Sequence, residues 1–171
     1  RFDAFRAKLE TPVTVIVQGE VGHSPEVALV DPTAVRLLFS AQSLAGEHRY
    51  AEELALLDRA DAAQRDTNAV KYWVTSWTLR GYAYAVGGRA AEGEEFAERA
   101  LAEDRSDVLA RQVLALAQAK QGQFAEAFAH LDTLAIIAPD DTTTMALRAQ
   151  LEQRSSMRAM PVRPSVVPRA R

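Results

Sequence analysis

Three histidines, two acidic runs and one pair of glycines are the residues whose types could carry chemistry. His23, His48 and His130 could ligate a metal or move a proton, but they lie far apart, show no HExxH-like spacing, and no two share a helix face. Gly19-x-x-Gly22 follows the apolar run TVIV as a phosphate loop would, yet no lysine follows the second glycine and no helix is signalled after it. Glu92, Glu94 and Glu95, and Asp140 with Asp141, could pair as acid and base; solvated helix faces and a helix cap account for them more simply. Cysteine is absent, which excludes disulfides, thiolate metal sites and cysteine nucleophiles without fixing the compartment. The expectation is a noncatalytic protein that uses no metal and no cofactor.

The elements that would have to position any site are helices. The 171 residues suffice for one domain with a real core, and 48% apolar with 25% charged residues is a globular composition. No apolar run approaches the roughly 20 residues of a membrane-spanning helix. Asp31-Pro32 signals a helix start, with the Asp as cap and proline where its missing N–H costs nothing. From about residue 33 to 154, helical periodicity recurs with gaps of a few residues, which forces antiparallel hairpins. Gly46, Gly87-Gly88, Gly122 and Pro139 punctuate the runs, Ser106-Asp107 caps one helix and Asp140 or Asp141 the last.

The two ends differ in kind. Within residues 1–30, Phe2, Phe5 and Leu9 have the spacing of a short helix, while Val13, Val15 and Val17 alternate as in a strand that Val27–Val30 could pair; an extended segment lying on the helical body is the alternative. Residues 155–171 hold Pro161, Pro164 and Pro168 among arginines and read as a flexible tail after a helical domain at 31–154. After Glu152 there is no acid, so the net charge of −3 divides into +5 on the tail and −8 on the first 153 residues. An acidic body argues against a nucleic-acid-binding core. The chain begins RFDAF without methionine, which reads as a processed or trimmed product.

A period runs through the helical part. Laying Val108–Pro139 over Val74–Arg105, an offset of 34, puts Gly122 on Gly88, Ala127 on Gly93, Leu134 on Ala100 and Ala115 on Gly81. Trp77, Gly81, Tyr84, Gly88, Gly93 and Ala100 in one unit, and Ala115, Gly122, Phe124, Ala127 and Pro139 in the next, fill the pattern of the tetratricopeptide (TPR) repeat, which this sequence resembles over about 33–139. A weaker unit starts near Ala34, with Leu37, Ala41, Leu44, Tyr50, Leu57 and Ala60, and sits 40 residues upstream of the next. Glu53 stands there where a small residue is expected, Arg80 where leucine is, and Arg105 where proline is. The resemblance implies a mainly α fold, a TPR-like α-solenoid of antiparallel helix pairs with Thr142–Arg154 as a capping helix. Its small residues (Gly81, Gly93, Ala115, Ala127) would lie where paired helices approach most closely. Trp77, Leu114 and Phe124 would fill the space between pairs, with Trp73 either packed or covering a partner site.

The resemblance also implies a partner surface. First helices of such pairs line a concave face, which here carries Val35, Leu38 and Gln42, then Thr75, Thr78 and Tyr82, then Leu109, Gln112 and Leu116, with Lys120 as the nearest cation. That set is neutral and lacks the lysine, arginine and asparagine of carboxylate-clamping relatives, so it suits an extended apolar peptide or partner protein rather than an acidic terminus. TVIVQ could itself occupy the groove, in the same molecule or a neighbour, which leaves a homo-oligomer open. The function expected is an adaptor or chaperone-like protein-binding module of a bacterial secretion or pilus assembly, or alternatively a scaffold or regulatory domain of a larger enzyme or regulator. The compartment expected is the cytoplasm, with the periplasm as the alternative. As a functional arm the basic tail could reach an acidic protein face, a membrane surface or nucleic acid, and a solvated tail is the simpler account.

Overall fold

A computed structural model of the protein describes residues 13–15, 28–65 and 68–159. The expected opening helix, the Gly19–Gly22 pair, His23 and the proline-rich end from residue 160 lie outside them. Two short strands, β1 (Val13–Val15) and β2 (Ala28–Val30), pair antiparallel with Val13 opposite Val30. Seven helices follow: α1 (Pro32–Gly46), α2 (Tyr50–Ala63), α3 (Val70–Val86), α4 (Ala90–Glu103), α5 (Val108–Gln121), α6 (Phe124–Ile137) and α7 (Thr142–Ala159).

The caps are those the chain provides. Asp31 accepts from the backbone N–H of Thr33 at 2.7 Å, Asp107 from Ala110 at 2.7 Å, and Asp141 from Thr144 at 2.8 Å. α7 continues through Ser155 to Ala159, past the end expected near Arg154. No proline intervenes before Pro161, and the Ser156 hydroxyl donates to the carbonyl of Glu152, four residues back.

The repeat is visible in the backbone itself. Each of the first three hairpins turns on one hydrogen bond of the same kind, from Arg49 N–H to Leu44, Arg89 N–H to Tyr84 and Gln123 N–H to Gln118. One residue before each donor the chain is left-handed, at His48 (φ 61°), Gly88 (φ 92°) and Gly122 (φ 86°). The first unit thus puts a histidine where the others put glycine, and Gly46, expected to close α1, is its last helical residue.

Packing follows the stack. Helices pair as α1–α2, α3–α4 and α5–α6, each second helix lies on the next first helix, and α1, α3, α5 and α7 touch in series. Among the described residues no broad contact joins α2 to α4 or α4 to α6. The arrangement is therefore an open α-solenoid whose first helices face its inner side, as the period implies. Within the middle pair, a Cβ added to Gly93 would lie 2.8 Å from the Ala85 nitrogen and 2.8 Å from the Gly81 carbonyl oxygen. At the far end Leu131, Leu134 and Leu151 close a core with Ala115, Ala119 and Ala127, and α7 seals it.

Arg80, which replaces the expected leucine, makes its own core. It is 7% exposed and its guanidinium pairs with Asp58 at 2.8 Å and Asp61 at 2.7 Å. Asp61 also accepts from the Tyr72 hydroxyl at 2.9 Å and the Ser76 hydroxyl at 2.7 Å. A fully satisfied polar cluster thus joins α2 to α3 where the repeat ordinarily uses apolar contact.

Candidate functional site

The inner side of the stack is the candidate site, and the packing sorts its expected residues. On α1, Val35 and Leu38 are half-buried and Gln42 is exposed; Leu38 leans on both apolar clusters of the first unit. On α3, Thr75 is exposed, with its hydroxyl turned back to the carbonyl of Lys71 at 2.8 Å. Tyr82 is half-buried, resting on the cluster of Ala97, Val113 and Leu114. On α5, Leu109 is 47% exposed and Leu116 half-buried.

Two expected contact residues are closed off. Thr78 is 2% exposed and packed within the helical layer, its hydroxyl unpartnered. Gln112 is sealed by the first turn of α7, where its amide donates to Asp141 at 2.5 Å and to the Thr144 hydroxyl at 2.9 Å. Neither is open to a ligand in this arrangement. Of the nine residues expected on the inner strip, Val35, Leu38, Gln42, Thr75, Tyr82, Leu109 and Leu116 are accessible and uncharged, and Lys120 is exposed on the same helix as the last two.

The packing residues lie beside this strip. Trp77 is half-buried against Val74, Ala100 and Ala110, stacks on Trp73 at 6.1 Å, and has the Arg99 guanidinium 4.1 Å from its ring centre. Trp73 packs on the Ala34–Ala60–Tyr72 cluster. Tyr84 stacks on Phe96 at 5.5 Å. Gly81, Ala115 and Ala127 are buried, Phe124 lies against the terminal core, and Pro139 follows α6 on the exposed surface.

One feature of the site had only an indirect sequence signal. Glu53, noted as out of place in its repeat, is fully buried and neither carboxyl oxygen has a hydrogen-bond partner. Burial pushes its pKa up to about 7. Nearby, the Tyr50 phenol is pushed up by burial, by the Tyr82 hydroxyl and by the Glu53 carboxyl. His48 stands beside the Tyr50 hydroxyl at 2.7 Å. His130 is elsewhere, on α6, held below its ordinary value by burial and by Arg111. Among the described residues no group of three acids or histidines is placed to hold a metal, and no helix is long and apolar enough to cross a membrane.

No family model and no curated protein matches the sequence. Solved structures match the fold. One is the first TPR of Spaghetti (RPAP3) bound to the HSP90 peptide SRMEEVD, 17% identical with a TM-score of 0.60, covering 72% of this chain and 96% of that one. Another is the first TPR domain of human RPAP3, 18% identical with a TM-score of 0.61, covering 75% of this chain and 98% of that one. At such identity the likeness establishes the fold: the helical pairs form a TPR-type solenoid.

Proposed function

We propose that the protein is a noncatalytic interaction module that holds an extended segment of a partner protein along the inner faces of α1, α3 and α5. The observation that supports this is that apolar and uncharged side chains expected on that side remain accessible in three successive units. The structural neighbour that holds the HSP90 peptide supports the class of function, since a domain of the same fold takes a peptide. That peptide carries two glutamates and an aspartate, whereas the residues of the strip itself are uncharged, with lysines only near its ends at Lys71 and Lys120, so a different peptide chemistry is expected.

The finer reading, an adaptor or chaperone of a bacterial secretion or pilus assembly, rests on architecture: three units, an N-terminal extension and a capping helix. The alternative is that the same module serves as a scaffold within a larger enzyme or regulator. Either way the inner strip does the holding.

A photo-crosslinking residue placed at Gln42 or Thr75, both exposed on the strip, should trap the partner in the native host. The same residue at Glu98, exposed on α4, should not. Tyr82→Ala combined with Leu116→Glu, with helicity intact by circular dichroism, should abolish that product. Equal trapping from all three positions would place the interaction elsewhere.

A further inference from the structure

Glu53 occupies a place at which the other two units carry Gly93 and Ala127. A small residue there lets paired helices close. A carboxyl there is instead fully enclosed and unpartnered. Proteins rarely leave a buried acid in that condition, because each missing hydrogen bond forfeits the solvation that water gave.

What surrounds the acid is suited to a cation. Tyr50 lies one helical turn earlier on α2, and its ring meets that of Tyr82 edge-on at 6.2 Å. The His48 ring meets Tyr50 edge-on at 6.0 Å. Tyr82 belongs to the proposed inner strip, both tyrosines are half-exposed, and the Tyr50 phenol feels the Glu53 carboxyl, so the aromatic pair links the acid's neighbourhood to the groove. The basic side chain on this turn, Arg49, is already committed to Glu47 at 2.9 Å and Glu52 at 2.5 Å. Aromatic faces, phenol oxygens and an unpaired carboxyl therefore converge at one corner of a strip that is otherwise neutral.

We propose that this corner receives a lysine or arginine side chain of the groove-bound partner segment, its charge lying against Tyr50 and Tyr82 and paired with Glu53. The inference rests on the groove function proposed above and adds a charge to it: a cationic anchor within an otherwise apolar segment. Access to the enclosed acid requires the Tyr50–Tyr82 pair to part. Pairing then supplies the bonds that Glu53 lacks, and charge-assisted bonds in a desolvated site are the stronger kind.

A phage-displayed library of random linear peptides, selected on the full chain, tests this. The expected outcome is enrichment of apolar peptides with lysine or arginine at one fixed position, and about tenfold weaker binding when norleucine replaces that residue. Glu53→Gln, and independently Glu53→Ala (the small residue of this repeat position), should bind the basic and norleucine peptides equally while keeping wild-type helicity. Selection of apolar peptides without a basic position, lost in Leu116→Glu, would overturn the cationic anchor and leave the groove function standing. A basic preference that survives both Glu53 substitutions would overturn it too. Failure to enrich any peptide would remove the groove function and the anchor together.

Discussion

At the scale of single residues, two departures from the repeat behave oppositely. Arg80 is buried but answered: Asp58 and Asp61 on α2 take its charge, and Tyr72 and Ser76 complete the cluster. Glu53 is buried and unanswered. Its folded-state pKa of about 7 lies above the ordinary glutamate value, so the native state holds a proton that the unfolded chain releases. Stability from this group is complete below the ordinary value, falls as pH rises toward 7, and is flat beyond. Glu53→Gln abolishes the titration. It should exceed wild type by about 1–3 kcal/mol at about pH 8 and by much less at about pH 4, measured by urea unfolding at both. A constant difference across that range would show that Glu53 titrates normally.

Among elements, the decisive contact is the crossing of α3 and α4 at Gly81 and Gly93. Alanine is ordinarily the better helix residue by roughly 1 kcal/mol. At Gly93, however, its methyl would press on the backbone of Ala85 and Gly81, which cannot swing aside as a side chain can. Gly93→Ala should therefore lose about 1–3 kcal/mol, read as a lower urea midpoint with unchanged slope. A gain would mean that the helices separate at little cost.

These crossings explain what the sequence could disclose. Glycine and alanine at Gly81, Gly93, Ala115 and Ala127 recur because backbone proximity tolerates little that is larger, so the pairing of helices was legible from their recurrence, and the TPR-type fold from the resemblance of that recurrence to the family's pattern. The polar contacts were not. Arg80 meets acids that precede it by 19 and 22 residues on another helix, and no local pattern announces such a meeting. Gln112 and Thr78 fell on the inner side by register, yet Gln112 is bound over by the first turn of α7, 29 residues on. Register assigns a side of a helix; only packing decides whether that side is open.

For the whole molecule, the terminal unit needs its cap. Leu131 and Leu134 are fully enclosed because Leu151 of α7 lies with them in one core. Leu151→Ala should cost about 2–5 kcal/mol, and the loss should concentrate in α5–α7, seen as faster amide exchange there than in α3–α4. Uniform acceleration throughout would mean that the stack melts as one block.

Contacts that run from each pair to the next have a consequence for how the chain is made. Nothing in α1–α4 waits for a distant segment, since each hairpin finds its neighbour within a few dozen residues. As the polypeptide leaves the ribosome, early units can bury their faces while later ones are still being synthesised. Only the growing edge then stays sticky, and that edge is covered when α7 settles onto it.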